Sequence, residues 1–278
     1  MQNIDPVFML QPLVVIVVCT LLLVYWHRRR GFALVVLGYS FVAYVVAIAL
    51  KYAVQLPTID TVTNYFGQQS VGLGVYYGVQ TALFEVGLAY LVSSYAIRNG
   101  KLGMKDAEGY GAGLAFWENA VLLGVLPLIN YIAYYAILST SSPLAQTVYD
   151  LLRQNSPGLF DPMSQALSSV ALGTLERSSS ILIHIAWGYL CMMAAVYGRR
   201  RLVLIALPMG FVDFLVPFAS TIGIVVFEGM VFTIGVVAVL VAWQAVRSVR
   251  ADAKGSSLRT GQAPQPSRQT SDRCRLSW

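Results

Sequence analysis

The chain has 278 residues, of which 57% are hydrophobic and 12% charged, with a formal net charge of +6. A soluble globular domain carries roughly 25% charged residues, so this composition excludes an ordinary water-soluble fold. The apolar residues form long continuous runs instead of the short alternating segments of a membrane β-barrel. We therefore expect an all-α protein, a polytopic transmembrane helix bundle in the cell membrane, with the lipid bilayer around it.

Seven apolar runs are long enough to cross a bilayer, and together they predict one transmembrane domain over residues 1–246. The predicted spans cover residues 7–26, 31–54, 73–97, 111–138, 170–198, 202–221 and 224–246. Pro208 and Pro217 predict a kink in the sixth span, which membranes tolerate where neighbouring groups satisfy the freed carbonyls. Only a short stretch around Gly223 separates the last two spans, and this predicts a tight helical hairpin.

The basic residues predict the orientation of the chain. Sixteen of the 19 lysine and arginine residues follow the first, third, fifth or seventh predicted span, so all of these lie on one side of the membrane. Positive residues accumulate on the cytoplasmic side. We therefore expect the N-terminus outside and the C-terminus in the cytoplasm. The three exceptions are Lys51, Arg153 and Arg177.

The loop over residues 139–169 predicts a short helix at the outer surface. Ser142 followed by Pro143 is a typical helix start, and an apolar face follows over residues 144–152. Such a helix lies at the membrane interface. It is either a lid over an outward opening or an amphipathic connector.

Residues 247–278 are polar, lack apolar periodicity and carry a net charge of +5. This composition predicts a disordered basic tail held near anionic lipid. No aromatic residues are interleaved with its basic residues, so we expect no nucleic-acid partner.

Several ionisable residues fall inside predicted spans, where a charged side chain costs about 3 kcal/mol or more and usually marks function. They are Glu85, Glu118, Glu176, Arg177, His184, Asp213 and Glu228, with Asn119 beside the second acid. Distances from the span ends, at about 1.5 Å per residue, place Glu85, His184 and Asp213 near one level. Glu118 can join them if its helix tilts or begins earlier. The sequence therefore predicts a polar cluster inside the bundle.

The fifth span presents a polar stripe that includes the histidine. Arg177 and His184 are seven residues apart, about 20° from a common helical face, and Ser180 lies one turn before His184. Glu176 lies about 80° to one side of His184. A single histidine is often only a hydrogen-bonded core residue, and Glu176 with Arg177 could simply neutralise each other. Because acids lie on other spans, a functional role for His184 and a purely structural role are equally favoured.

Four short sequence elements follow one another along the chain. They are Phe84-Glu85, the segment GAGLAFWE over residues 111–118, the segment ERSSSILIH over residues 176–184, and MGFVD over residues 209–213. An acidic pair, a GxGHGxxE-like element, an ERxxxxxxH element and an HxxxD element occur in this order in the YhfC-type family of intramembrane metalloproteases. That family is distantly related to the CAAX-processing proteases. The chain resembles it over roughly residues 75–220.

The resemblance implies a metal-dependent peptide hydrolase with zinc as its metal and a membrane-embedded peptide or protein as its substrate. It implies Glu118, His184 and Asp213 as metal ligands. Glu85 and Glu118 would be the catalytic residues, with Glu85 as the base for a metal-bound water. A supporting polar network would consist of Asn119, Glu176, Arg177 and Ser180.

The chain departs from the family pattern at four positions. Phe84 replaces the first acid of the pair, Leu88 stands near an expected basic position, and histidines are replaced by Leu114 and Met209. A catalytic zinc site has three protein ligands and a water, usually with two or more nitrogens. A site with one histidine is oxygen-rich, so weak zinc binding, another metal and no metal all remain open.

Two further interpretations therefore stand beside the peptidase. One is a non-catalytic member of the same fold that binds a membrane partner or substrate without cutting it. The other is a proton-coupled transporter or channel that uses the intramembrane acids as a relay, although the sequence shows no internal inverted repeat.

Overall fold

A computed structural model describes residues 3–260 of the chain, and these residues form helices and connecting turns without strands. The main helices are α1 (Pro6–Arg30), α2 (Val35–Phe66), α3 (Val71–Arg98), α4 (Met104–Leu138), α5 (Pro143–Asn155), α6 (Met163–Tyr197), α7 (Arg201–Ile222) and α8 (Ile224–Thr260). Seven of these eight helices, all except α5, are long and apolar enough to cross a membrane, as counted over the described residues. The predicted all-α bundle of seven spans is confirmed.

Helix α6 lies at the centre of the bundle. In its most apolar stretch 67% of the residues are buried, whereas no other span exceeds 33%. It packs against α1, α3, α4, α7 and α8. Large side chains such as Trp187, Leu190 and Met192 fill the space between these helices. Ser179 and His184 on α6 are buried and therefore face protein and not lipid.

Two glycines bring α4 and α6 into backbone contact. A Cβ atom added to Gly111 would lie 2.6 Å from the carbonyl oxygen of Ile185, and one added to Gly188 would lie 2.6 Å from the Gly111 Cα. Small residues allow this approach between membrane helices, where van der Waals packing drives association. His184 lies one turn from Gly188, so the contact also holds α4 close to the histidine.

Helices α3 and α4 contain π-helical segments, Thr81–Val86 and Phe116–Val125. A π turn carries i→i+5 hydrogen bonds, is rare, and occurs mostly at functional sites. Glu85 lies in the first segment and Glu118 in the second. The extra residue in each turn changes which side chains share a helical face, so a regular α-helical wheel does not describe either segment.

Helix α7 changes its winding where the two prolines predict a kink. It is α-helical over Arg201–Gly210, 3₁₀-helical over Phe211–Phe218, and α-helical again over Ala219–Ile222. Proline lacks the N–H that an α-helix needs at these positions. A Cβ atom on Gly74 of α3 would lie 2.6 Å from the carbonyl oxygen of Phe214. This close approach holds the 3₁₀ stretch, which carries Asp213, against α3.

Helix α2 is longer than the predicted span. It continues to Phe66 with Pro57 inside it, whereas the predicted span ends at residue 54. Lys51 consequently lies near the middle of the helix and not near its end. Helix α8 likewise continues to Thr260, past the predicted end at residue 246. Residues 261–278 of the predicted tail lie outside the described residues, and the disorder of the tail stays a prediction.

The short helix in the loop over residues 139–169 forms as the Ser142–Pro143 pair predicts. The Ser142 hydroxyl accepts a hydrogen bond from the Ala145 amide at 3.2 Å. Leu152 packs in a small apolar cluster with Ile4, Leu138 and Phe160. No residue of 139–169 lines the polar cavity described below. The packing favours the connector over the lid.

Candidate functional site

The ionisable residues predicted inside the spans surround one cavity of about 310 Å³. Helices α2, α3, α4, α6, α7 and α8 all contribute to its wall. The ionisable residues that line it are Lys51, Glu85, Glu118, Glu176, Arg177, His184, Asp213 and Glu228. Five of these are acids, and only Lys51 and Arg177 are fixed cations. The cavity therefore carries an excess of negative charge that would attract a cation.

Glu85, Glu118 and His184 converge within this cavity. The His184 Nε2 atom lies 2.6 Å from Glu118 Oε2 and 3.3 Å from Glu85 Oε2. One donor atom from each of the three side chains lies within 4.8 Å of the other two. Glu85 and His184 are buried, and Glu118 is nearly so. Three helices thus bring one nitrogen and two oxygen donors to a single place.

The orientation of the His184 ring is set from its other side. Its Nδ1 atom lies 2.9 Å from the backbone carbonyl oxygen of Ser180, one turn earlier on α6. An Nδ1–H that donates to this carbonyl leaves Nε2 facing the two carboxylates. Metal-binding histidines commonly donate their other N–H to a carbonyl in this way. The Ser180 hydroxyl also donates a hydrogen bond to Glu118 Oε1 at 3.0 Å, which links both side chains to one residue.

The Nε2 atom of His184 is close to carboxylate oxygens, yet it makes no hydrogen bond of acceptable geometry with any described residue. A neutral Nε2 presents a lone pair, which a carboxylate oxygen repels. The contact is favourable only if a proton lies between the nitrogen and the carboxyl oxygen, or if a metal cation does. This buried nitrogen, which faces two carboxylates without a well-formed hydrogen bond, is the feature that most directly suits a metal ion.

The distances agree in part with a metal site. Ligand atoms around a tetrahedral zinc ion lie about 3.3 Å apart. The separation of 3.3 Å between His184 and Glu85 matches, whereas the 2.6 Å between His184 and Glu118 would have to widen. One imidazole and two carboxylates suit first-row divalent ions in general and are oxygen-rich for zinc. The residues present therefore fit a divalent cation.

Lys51 forms a second part of the site, on the α3 and α7 side of the cavity. Its ammonium group donates to Glu85 Oε1 at 2.6 Å and to the Thr81 hydroxyl at 2.8 Å, and lies 3.4 Å from Asp213 Oδ2. The Thr81 hydroxyl donates to Asp213 in turn. Asp213, which the resemblance implies as a metal ligand, thus pairs with a lysine and lies outside the converging group of three.

Lys51 is the charged site residue that sequence reasoning missed. Residue 51 lies three positions from the end of the predicted second span, where a lysine can extend its ammonium group to the membrane surface. In the longer helix it lies near the middle, and its ammonium group reaches Glu85, near the middle of α3. The sequence does distinguish this residue, because Lys51 is the one lysine or arginine in the apolar stretch before Pro57.

The other predicted network residues divide into two groups. Arg177 pairs with Glu176 and also lies 3.8 Å from Glu118 Oε1, so it both neutralises its neighbour and reaches the converging group. Asn119 is fully buried, donates to the Ala115 carbonyl oxygen at 3.1 Å, and does not line the cavity. Arg177 therefore lies where it can support Glu118, whereas Asn119 contacts the helix backbone.

The two positions where the family pattern has histidine belong to the apolar core. Leu114 and Met209 are both buried in the main hydrophobic cluster of the bundle. Leu114 lies near Gly188, at the close approach of α4 and α6. Packing residues thus occupy both positions, and neither lines the polar cavity.

Fold and site together define a seven-span integral membrane protein with a buried histidine and carboxylate cluster. A sequence model of the family described as YhfC intramembrane metalloprotease matches residues 13–247, and the chain belongs to this family. The resemblance noted in the sequence is confirmed, as is the localisation to a membrane. Comparisons with curated proteins and with solved structures give no match.

Proposed function

We propose that the protein is a membrane-embedded, metal-dependent peptidase in which Glu85, Glu118 and His184 hold a divalent cation. The observation that carries the proposal is the convergence of three donor atoms within 4.8 Å in a buried cavity where acids outnumber fixed cations. Membership of the family supports the class of activity. The assignment of these three residues rests on geometry alone.

A bound divalent ion would supply Lewis acidity and lower the pKa of a bound water. The chain's own residues prepare the site for it. The Ser180 carbonyl fixes the tautomer and direction of His184, and the Ser180 hydroxyl and Arg177 hold the outer oxygen of Glu118. Lys51 holds Glu85 Oε1, which leaves Oε2 for the cluster. From there Glu85 can serve as a ligand or accept a proton during hydrolysis.

Unpartnered polar groups along the cavity wall suit a peptide substrate. Among the described residues, the Tyr44 hydroxyl and Glu228 Oε2 are buried and make no hydrogen bond, and both residues line the cavity. Apolar side chains such as Ile48, Leu122 and Phe227 form much of the remaining wall. An exposed peptide N–H could donate to Glu228 while an apolar side chain of a membrane-embedded segment fills the rest.

Metal analysis of the purified protein tests the proposal. His184→Ala removes the converging nitrogen, whereas His27→Ala removes the chain's second histidine, which lies at the end of α1 and contacts the Phe32 carbonyl. We expect a stoichiometric divalent metal in wild type and His27→Ala, and its loss in His184→Ala. All three samples should elute as folded protein. Absence of metal from wild type after metal supplementation would overturn the proposal.

One observation favours a second candidate, a non-catalytic member of the fold. Lys51 already supplies a positive charge to Glu85 and Asp213, and Arg177 supplies one to Glu118. In this hypothesis the protein binds a membrane-embedded peptide without a metal. Metal-free wild-type protein that binds a transmembrane peptide without cleaving it would support this candidate. The transport hypothesis stays a prediction, tested by proton flux in proteoliposomes.

A further inference from the structure

A second cavity of about 300 Å³ opens at the end of the bundle that carries most basic residues. It lies between the end of α1, the start of α4, and the facing surfaces of α6 and α8. It shares no lining residue with the polar cavity. We call it the arginine groove, after the four arginines that line it: Arg29, Arg30, Arg247 and Arg250.

The arginine groove holds more positive charge than its protein partners neutralise. Arg30 forms an ion pair with Glu108 at 2.9 Å. Within the described part of the chain, the other three arginines have no carboxylate partner. Glu108 is the only acid in the lining. The groove therefore has room for an anion and a charge of about three units to receive it.

Neutral groups hold these unpaired guanidinium groups in place. Arg250 donates to the Tyr189 hydroxyl at 3.2 Å, and its buried Nε atom makes no hydrogen bond with any described residue. Arg247 stacks over the ring of Trp243 at 4.5 Å from its centroid. Hydroxyl and aromatic contacts orient guanidinium groups without satisfying their charge. Guanidinium pairs readily with phosphate through paired N–H groups.

The same groove has an apolar wall that continues into the bilayer. Val239, Ala242 and Val246 line it on α8, one to three turns before Arg250. At about 1.5 Å per residue this wall reaches roughly 16 Å from the arginine toward the membrane centre. Trp26 lies beside the groove at the end of α1, where aromatic residues mark the membrane interface. Charge at the interface followed by an apolar wall matches a phospholipid and not a free phosphate.

We propose that the arginine groove binds an anionic phospholipid. The headgroup phosphate lies between Arg29, Arg247 and Arg250, and an acyl chain lies along Val239, Ala242 and Val246. Basic pockets between membrane helices at this interface bind such headgroups. The positive charge also selects against zwitterionic lipids, because their cationic group would face unpaired arginines. The proposal is independent of the proposed peptidase activity.

Lipid binding by the purified full-length protein tests the proposal. Phosphatidylglycerol and phosphatidylcholine with identical chains are titrated separately, and bound lipid is counted by native mass spectrometry. We expect wild type to bind phosphatidylglycerol about tenfold or more tightly than phosphatidylcholine. The double variant Arg247→Gln/Arg250→Gln should lose this preference. Equal binding of the two lipids by wild type would overturn the proposal.

A matched control separates the groove from general surface charge. Arg199→Gln/Arg200→Gln removes the same charge from exposed residues at the same end of the bundle, outside the groove. We expect this pair to keep the preference for phosphatidylglycerol. Equal losses in both double variants would overturn the proposal, because general attraction would then explain the binding.

Two further measurements test the acyl-chain part of the proposal. Val239→Trp fills the apolar wall without changing charge and should also weaken phosphatidylglycerol binding. It serves if the arginine variants fail to fold. Glycerol phosphate, the headgroup without its chains, should not compete at millimolar concentration. Full competition by it would show a site for soluble phosphates and overturn the lipid assignment.

Discussion

The Nε2 atom of His184 lies 2.6 Å from Glu118 Oε2, while its Nδ1 atom lies 2.9 Å from a backbone carbonyl on its own helix. The histidine ring is therefore held by a hydrogen bond at Nδ1, while Nε2 faces the Glu118 carboxylate. This arrangement occurs where α4 and α6 are held together by glycines, so the two side chains meet without flexible loops between them.

Replacing Glu118 by glutamine should impair metal binding and leave the fold intact. The amide keeps the shape of the side chain but removes the negative charge that a divalent ion needs. We expect the metal affinity of Glu118→Gln to fall about 100-fold or more. Calorimetric titration of metal-depleted protein with the divalent metal measures this affinity. Glu108→Gln is the control, since Glu108 lies on the same helix but pairs with Arg30. Equal affinities in both variants would contradict the assignment.

Removing the hydroxyl of Ser180 should weaken the site more mildly. Ser180→Ala deletes the hydrogen bond to Glu118 Oε1 but keeps the carbonyl that orients His184. Outer partners of metal ligands contribute about 10-fold to 100-fold in affinity or activity. We expect a loss near the lower end of this range. The control is Ser178→Ala, whose hydroxyl donates only to the Thr174 carbonyl. A loss as large in the control would show a general effect on α6.

Replacing Lys51 by methionine should destabilise the protein. The change leaves the buried Glu85 and the partly exposed Asp213 without their shared cation. Breaking a buried ion pair by removing one partner costs roughly 3 to 5 kcal/mol. Thermal unfolding in detergent measures the loss of stability. Lys101→Met, at an exposed residue, should have little effect. A second change, Asp213→Asn, should recover part of the stability of Lys51→Met, and failure to recover any would contradict the shared pairing.

Placing a methyl group at Gly111 should separate α4 from α6. The new Cβ of Gly111→Ala would lie 2.6 Å from the Ile185 carbonyl oxygen, which backbone atoms cannot easily avoid. Overpacking of this kind costs about 1 to 3 kcal/mol. We also expect weaker metal binding, because Glu118 would move away from His184. Gly87→Ala is the control, since an added Cβ there meets nothing within 4 Å. Equal unfolding temperatures for both variants would contradict the close packing.

The sequence predicted the spans well because a bilayer demands long apolar helices, and such runs are visible without structural information. It also placed Glu85, His184 and Asp213 at one level, since depth follows from residue count in a helix. These residues line one cavity. Pairing within the cavity could not be predicted in the same way. The π-helical segments change the face on which Glu85 and Glu118 lie, and they depend on packing between helices.

The error over Lys51 has a specific physical origin. The predicted second span ends at residue 54, three positions before Pro57, and a proline commonly ends a helix. In a membrane, neighbouring groups can satisfy the freed carbonyl and the helix continues. A lysine near a span end commonly extends to the membrane surface, and the predicted polar cluster does not include Lys51, the partner of Glu85 and Asp213. A lysine before a proline within a long apolar run can therefore indicate a mid-membrane cation.

Lys51 also bears on how the chain enters the membrane during synthesis. A lysine at the centre of a helix costs about 3 kcal/mol on insertion scales, so α2 carries a penalty when it enters the lipid alone. Its partners Glu85 and Thr81 lie on α3, the next helix to be made. The ammonium group on α2 and the carboxylate on α3 therefore neutralise each other when the two helices pack together. We therefore expect α2 and α3 to leave the translocation machinery as a pair, with Asp213 joining once α7 has been synthesised.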